Sequence, residues 1–565
     1  MRFTAPDIER IDRPGGGFIL RSRAALPAYP RCLGDHLVRW AELAPDRTLY
    51  AERDDARAWQ HVSYRAALDA ARALGQALLD LGLSRQRPLL VLSGNSLEHA
   101  LLALAAMHVG VPIVPVSPAY SLMSSDHAKL RAIAELVAPG AIYAADRAFE
   151  RALARLPDVP VLDRTRVREL MKASPTSAVD AAFAAVTGDT VAKILFTSGS
   201  TGVPKGVINT QRMLCANQAG LAAGWPFLDD PAKPPVIVDW LPWSHTFGAN
   251  HNANLILAHG GTLYIDAGKP APGAFDATLA NLREIPSTIY FNVPRGFDLL
   301  VGALETDDAL RAAFFRELDV IFYAAAALSP ATWQRLEAVA ARAGRQVAMT
   351  SAWGSTETSP LVTQVSYPIA RAGVIGMPIP GTELAFAPVG DQLEMRVKGP
   401  NVAPGYLAHG GALEPLPLDE LGFYPMGDAG TAGPDGVVFA GRTSENFKLA
   451  SGTWVHVGPV RLALIAACSP HLSDAVICGH DRAELGALVW LAPGGDATQL
   501  HAAVASQRDA ASSARIGRVL VLREPPSIDA GEITDKGYIN QRAVRERRAG
   551  EVERLFSDDV FVIRC

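Results

Sequence analysis

The stretch ILFTSGSTGVPKGVINT, Ile194 to Thr210, sets the reading of the whole chain. Ile194, Leu195 and Phe196 read as the end of a buried strand, and TSGSTGVPKG, which follows, offers nothing large and apolar to pack a core. Gly199, Gly202 and Gly206 let backbone N–H groups approach an anion closely. Thr197, Ser198, Ser200 and Thr201 add hydroxyl donors, and Lys205 adds a fixed positive charge. A polyphosphate suits such a loop best. A solvated surface loop uses similar residue types, but here hydroxyls and glycines alternate and close on Pro204-Lys205-Gly206. The pattern is not a Walker loop, because GxxxxGK followed by Ser or Thr is absent, so a P-loop fold is not implied.

At 565 residues the chain is too long for one ordinary core, and two or more domains are expected. Hydrophobic residues at 49%, charged residues at 20% and a net charge of −5 describe a globular protein without a nucleic-acid surface. The N-terminus MRFTAPDIERIDRPGGG carries acids and no apolar core, and does not read as a signal peptide. His99 to Val116, the most hydrophobic region, is interrupted by His108, Gly110, Pro112 and Pro115; it reads as a buried helix and a strand, not a membrane span. Five scattered cysteines without CxxC spacing imply neither a disulfide framework nor a zinc site, and a cytoplasmic location is expected.

Strand-like and helical runs alternate through the first 350 or so residues: PLLVLSG (Pro88 to Gly94), an amphipathic helix from Leu97, then VPIVPV (Val111 to Val116). Such alternation predicts βαβ units and parallel sheet. After Gly373 short strands and turns take over, as in DQLEMRVKG (Asp391 to Gly399) and GVVFAGR (Gly436 to Arg442). The Pro-rich LEPLPLDELG (Leu413 to Gly422) reads as a surface connection. The residues beyond Arg442 suffice for a small α+β domain, with strands at DAVICGH (Asp474 to His480) and GALVWLAP (Gly486 to Pro493).

The order [ST]-S-G-[ST]-T-G-x-P-K-G resembles the phosphate loop of the adenylate-forming enzymes: acyl-CoA synthetases, peptide-synthetase adenylation domains and luciferases. The resemblance spans nearly the whole chain, through NSLEHALLALAAMHVGVPIVPVSPAY, KGPNVAPGY and FYPMGDAG. It implies an α/β fold with a large N-terminal domain, residues 1–441, of parallel βαβ sheets and a small β-rich part. A small mobile α+β C-terminal lid, residues 442–565, follows. It also implies ATP, Mg²⁺ and coenzyme A acting on a small carboxylic acid. Thr197 to Gly202 and Lys205 would then hold phosphates. In SAWGSTETSP (Ser351 to Pro360), Trp353 would stack at the adenine and acid pockets, Thr356 would bond the α-phosphate and Glu357 would ligate Mg²⁺. Asp428 in YPMGDAG would hold the ribose hydroxyls, with Arg442 at ribose or phosphate and Ser444 as the hinge. Lys448 would serve thioester formation, and Lys536 in GEITDKGYINQ would serve adenylation. By itself each of these is an ordinary turn, cap or exposed lysine; their joint order along the chain gives them meaning.

Several positions depart from the family's usual pattern. Ser444 stands where Asp or Lys is usual, Val457 and Arg461 where Pro and Glu are usual, and alanines replace glycines in YAAAALSP (Tyr323 to Pro330). Ser444, GTWVHVGPVR and GEITDKGYINQR together resemble one branch, the bacterial feruloyl-CoA synthases. In LPWSHTFGAN (Leu241 to Asn250) the resemblance places His245 and Phe247 at the acyl site, and Tyr290, Phe291, Tyr323 and Ala324 lie in segments expected to line it. Aromatic walls suit a flat aryl-propenoate and suit an alkyl chain equally well. The expectation is therefore an acyl-CoA ligase acting on ferulate or a related hydroxycinnamate. Its alternatives are a fatty or other aryl acyl-CoA ligase, an adenylation enzyme that loads a carrier protein, and a non-catalytic acyl-nucleotide binder. Oligomeric state is not legible.

Overall fold

The strands Leu89–Leu92, Ile113–Val116 and Ala141–Ala144 are buried along their whole lengths. Strands covered on both faces read as unbroken apolar runs, which is why these segments do not alternate. The computed structural model describes residues 3–197, 204–271, 273–469, 471–505, 511, 513–534, 537 and 539–564. An eight-stranded sheet runs in the order Leu413–Pro415, Gly405–Leu407, Lys205–Thr210, Val191–Thr197, Ile113–Val116, Leu89–Leu92, Ala141–Ala144, Val161–Leu162. From Val191–Thr197 to Val161–Leu162 the pairings are parallel, and toward the opposite edge they are antiparallel. The Pro-rich segment expected as a plain connection thus contributes an edge strand, Leu413–Pro415.

Ser96 caps the helix Leu97–His108, its hydroxyl accepting from the His99 N–H at 3.2 Å. The expected amphipathic pattern gives way to burial on nearly every side. Even Glu98 is enclosed, with Arg168 at 2.7 Å and Arg164 at 3.4 Å. A second sheet of eleven strands begins with the parallel strands Ile289–Asn292, Val320–Tyr323 and Ala348–Gly354. It then turns antiparallel and ends on the N-terminal hairpin Ile8–Asp12 and Phe18–Ser22. A four-stranded sheet of Val236–Asp239, Thr262–Ile265, Thr48–Arg53 and Trp59–Ser63 packs beside them.

In the C-terminal part, Leu472–Cys478, Leu485–Leu491, Ile516–Val521 and Val562–Arg564 form a further four-stranded sheet. Alternation along these strands sends Ala475, Ile477, Ala487 and Val489 into one apolar cluster and Val476, Cys478, Leu488 and Trp490 into another. Both faces of this small sheet are therefore covered. Cys32, Cys215, Cys468 and Cys478 are buried and form no disulfide. Among the described residues no helix is long and apolar enough to cross a membrane.

The segment Ser527–Thr534 is closed by a buried ion pair. Glu532 accepts from Arg548 Nε at 2.7 Å and Nη2 at 2.8 Å, and also from the Ser527 N–H at 2.9 Å. Breaking such a pair leaves a buried charge uncompensated. Glu532→Ala is expected to cost about 3–5 kcal/mol in urea-induced unfolding, and the double change Glu532→Leu, Arg548→Met to cost much less. A loss below about 1 kcal/mol in the single variant would show that the pair does not hold this segment.

Candidate active site

Thr197 ends its strand opposite Lys205, and the two strands that flank the glycine-hydroxyl stretch in sequence pair antiparallel. Ser198, Gly199, Ser200, Thr201 and Gly202 lie outside the described residues, as does Lys536. Lys205 is exposed, with Nζ 4.9 Å from the centre of the Tyr406 ring.

Tyr406, on the strand Gly405–Leu407, reaches from the eight-stranded sheet to the eleven-stranded one. Its hydroxyl donates to Glu357 Oε1 at 3.1 Å and lies 3.1 Å from the Tyr424 hydroxyl. Burial pushes the Tyr424 phenol up to about 12 and raises Tyr406 further, so both stay neutral donors. The Ser355 hydroxyl donates to Glu357 Oε2 at 2.8 Å and accepts from the Glu357 N–H at 3.2 Å. The short turn Thr356–Thr358 is pinned from behind: Asn401 Nδ2 donates to the carbonyls of Thr358 and Leu361 at 3.1 and 2.7 Å, and Ala403 N–H donates to the Glu357 carbonyl at 2.7 Å. Gly354 admits this close turn, because a Cβ there would meet the Pro360 carbonyl oxygen at 1.7 Å. The Thr356 hydroxyl makes no hydrogen bond to another described residue.

Asp428 is buried on the neighbouring strand Tyr424–Gly433. Its Oδ2 accepts from the Trp353 indole N–H at 2.8 Å. Its Oδ1 lies 3.0 Å from Arg442 Nε without forming a directed hydrogen bond. Burial raises the Asp428 carboxyl above the usual carboxylate range, while Arg442 and the Trp353 N–H oppose that rise. The indole of Trp353 packs among Val362, Met395 and Met426. Trp353, expected to stack at the adenine and acid pockets, is a buried ring whose N–H orients a carboxylate.

This seam brings Lys205, Glu357, Asp428 and Arg442 around Trp353, Tyr406 and Tyr424. Lys448 is not joined to it. Its Nζ lies 3.5 Å from Asp391 Oδ2 and 5.0 Å from the Trp454 ring. Ser444 is exposed in the turn after Arg442. Tyr406, Tyr424 and Asn401 were missed as individual residues although KGPNVAPGY and FYPMGDAG contain them; a polar-tipped aromatic in a glycine-rich strand was the available signal. A Mg²⁺ ion that accompanies a triphosphate needs only one or two carboxylates besides phosphate oxygens. Glu357, with unused lone pairs, suits that role, and among the described residues no group of three or more His, Cys, Asp or Glu forms a cage.

The aromatic residues expected at the acyl wall divide between two faces of their strands. Phe247 opens a π-helical turn, Phe247–Asn252, and packs edge-on against Phe291 at 6.4 Å and tilted against Phe322 at 5.7 Å. His251 stands 5.2 Å from Phe291 and 4.9 Å from Phe322. Tyr290 and Tyr323 point to the opposite face of their strands, into a core with Phe297, Phe314 and Trp333. Side chains alternate along a strand, so Phe291 and Phe322 share one face while Tyr290 and Tyr323 share the other. His245 is buried just before the turn, and Ala324 is half-buried. Its neighbour Ala325 adopts φ of 72°, a left-handed conformation that costs an alanine roughly 1–2 kcal/mol.

With this geometry in view, a family model described as AMP-binding enzyme matches residues 37–407. The long-chain-fatty-acid–CoA ligase FadD15 of Mycobacterium bovis is 24% identical over 91% of this chain and 95% of its own. Among solved structures, O-succinylbenzoate coenzyme A synthetase from Bacillus subtilis in complex with AMP is 18% identical, with a TM-score of 0.69 over 91% of this chain and 98% of that one. McyG A-PCP complexed with phenylalanyl-adenylate is 16% identical, with a TM-score of 0.73 over 94% and 99%. At these identities the solved structures establish the fold.

Trp353→Phe removes a donor that favours ionised Asp428, so the carboxyl should titrate higher still. A ligand hydroxyl that donates to ionised Asp428 should therefore lose affinity more steeply with falling pH in the variant than in the wild type. Calorimetric AMP titrations across a pH series in both proteins check this. Equal pH dependence in the two proteins would separate Trp353 from the ionisation of Asp428.

Proposed function

The chain belongs to the AMP-binding enzyme family, and from that premise we propose that it is an ATP-dependent acid–thiol ligase that adenylates a carboxylic acid and transfers the acyl group to coenzyme A. The observation that carries this reading is the seam. Two carboxylates with unused acceptor capacity, Glu357 and Asp428, stand together with Arg442 and with Lys205, on the strand that follows the glycine-hydroxyl stretch in sequence. A ligand with a triphosphate, a ribose and an accompanying hard cation matches that set.

A carboxylate is a poor acyl electrophile, because its charge repels nucleophiles and oxide does not leave. When its oxygen attacks the α-phosphorus of ATP, pyrophosphate departs and a mixed anhydride remains. The thiol sulphur then attacks the carbonyl carbon, AMP leaves with the bonding electrons, and the thiol proton goes to solvent. In this reading Asp428 holds the ribose and Arg442 the ribose or α-phosphate, and the Thr356 hydroxyl bonds the α-phosphate. Lys205 and the loop before it hold the terminal phosphates. Mg²⁺, when bound at Glu357, offsets phosphate charge.

Within this class we assign a hydroxycinnamate such as ferulate as the acid. The aromatic nest of Phe247, His251, Phe291 and Phe322 supports a flat aryl group, as does the resemblance of Ser444, GTWVHVGPVR and GEITDKGYINQR to feruloyl-CoA synthases. Pyrophosphate release across a panel of aryl and alkyl acids, with and without coenzyme A, tests both levels. Ferulate, coumarate or caffeate is expected to turn over faster than octanoate or palmitate. The reverse order would make the enzyme a fatty acyl-CoA ligase, and pyrophosphate release that stops at the bound adenylate even with coenzyme A would point to a carrier-protein acceptor.

We further assign residues 442–565 to a small domain that turns about Ser444. The group that stabilises charge at the α-phosphate in the first step obstructs the thiol in the second, so a single rigid arrangement serves both badly. Lys536 is assigned to adenylation and Lys448 to thioester formation. Lys536→Ala should lose adenylate formation by about 10²- to 10³-fold yet still convert supplied acyl-adenylate to the thioester, and Lys448→Ala should do the reverse. Equal impairment of both half-reactions in both variants would refute the two-conformation account.

A further inference from the structure

One charged side chain sits in the middle of the strand that leads into the phosphate-loop stretch. Lys193 is 5% exposed. Its Nζ donates to the Ala249 carbonyl at 2.9 Å and to Asn254 Oδ1 at 3.3 Å. Among the described residues no carboxylate pairs with it. Burial pushes its ammonium down to about 7. A neutral amine still has two N–H donors, which match the two acceptors it meets.

Both acceptors belong to one structural unit. Ala249 lies within the π-helical turn Phe247–Asn252, and Asn254 lies in the helix Ala253–His259 that continues it. The same turn carries Phe247 and His251 to the aromatic nest. Gly248 lets the turn approach the chain before it, since a Cβ there would meet the Leu241 carbonyl oxygen at 2.3 Å. On the Lys193 side close packing fails. A cavity of about 40 Å³ is lined by Lys193, His99, Trp243, Ala249, Ala253 and Asn254 among others. Trp243 Nε1 and Asn254 Nδ2 are buried without hydrogen-bond partners. Side-chain interdigitation normally fixes a helix in place. Beside this cavity, the two hydrogen bonds from Lys193 bridge the gap instead. A methionine of similar length would fill the position without the cost of burying an amine, so packing alone gives no reason for a lysine.

We propose that Lys193 is a positioning residue for acid recognition: through Ala249 and Asn254 it fixes the π-helical turn, and so sets the separation between Phe247 and His251 on one side and Phe291 and Phe322 on the other. The proposal rests on the acid–thiol ligase reading. Lys193 itself touches neither acid nor nucleotide; it acts through the turn.

The test is Lys193→Met, with initial rates of pyrophosphate release measured while acid and ATP are varied in turn. The apparent KM for the acid is expected to rise at least about tenfold, with the KM for ATP within about twofold and a cooperative thermal melt. Equal change in both KM values, or no change in either, overturns the proposal. Should Lys193→Met fail to fold, Asn254→Leu keeps the lysine and removes one acceptor. It should raise the acid KM in the same direction, and an unchanged acid KM in that folded variant is equally fatal. Hydrogen exchange at residues 247–254 gives a readout independent of turnover: either variant should exchange faster there, and unchanged exchange overturns the proposal. Wild-type protein inactive with every acid would instead refute the ligase reading, leaving the exchange measurement to decide the role of Lys193.

Discussion

Two carboxylates at the junction of two sheets, Asp428 buried and Glu357 half-buried, organise the candidate site. A buried carboxylate destabilises the fold unless donors meet it. Asp428 takes its donor from Trp353 on the strand Ala348–Gly354 and its counter-charge from Arg442 on Gly436–Arg442. Glu357 takes its donors from Ser355 and from Tyr406, which belongs to the other sheet. Satisfying these oxygens therefore fixes where the strands stand relative to one another. The satisfaction is partial: Asp428 Oδ1 lacks a directed hydrogen bond, and the Thr356 hydroxyl has no partner among the described residues. In a low-dielectric seam such unused groups are strong ligand contacts, since filling them removes a standing cost.

The parts of this arrangement that were legible in the sequence are those encoded locally. Unbroken apolar runs identified the parallel strands, and glycines clustered with Thr, Glu and Asp identified the segments that converge. What local reading could not supply was which face of a strand looks at the site. Tyr290 and Phe291 are adjacent in sequence and belong to different cores, because one peptide step reverses the side chain. The register between Ile289–Asn292 and Val320–Tyr323 aligns Phe291 with Phe322, a pairing between strands about thirty residues apart. The bond from Trp353 to Asp428 was not legible for a similar reason, since the burial of the ring and the partner of its N–H are tertiary properties. Lys193 carried no local signal, since its partners lie far along the chain.

The departures from the usual pattern after Arg442 acquire a physical sense in the structure. Val457 N–H donates to Asn446 Oδ1 at 3.1 Å, a bond that a proline in that place could not make. Asn446 is buried between the strand Gly436–Arg442 and the C-terminal part, so the substitution adds a tie just beyond the turn that holds Ser444. Arg461 forms a two-point bond with Asp474, at 2.7 Å from both Nε and Nη2. It thereby joins the helix Val457–Ala467 to the strand Leu472–Cys478, a use that a glutamate facing Asp474 would oppose.

The contacts of the C-terminal part differ sharply in strength. Glu532 and Arg548 are enclosed within that part and make a two-point pair that holds the segment Ser527–Thr534 to it. Lys448 meets Asp391 at 3.5 Å with both side chains about half or more exposed. An ion pair of that kind contributes about 0–1 kcal/mol. Trp454 adds one indole hydrogen bond to the same Asp391, at 2.6 Å, a bond that water can replace when both groups are exposed. Separating Lys448 from Asp391 therefore costs little, whereas distorting the interior of the C-terminal part costs several times more. Other contacts tie the C-terminal part to the N-terminal one: Ser125 donates to Asp529 Oδ2 from its N–H at 3.0 Å and its hydroxyl at 2.8 Å, and Lys129 Nζ donates to the Ile528 carbonyl. Bringing Lys448 to the seam by a turn at Ser444 would have to release these bonds as well as the exposed pair with Asp391.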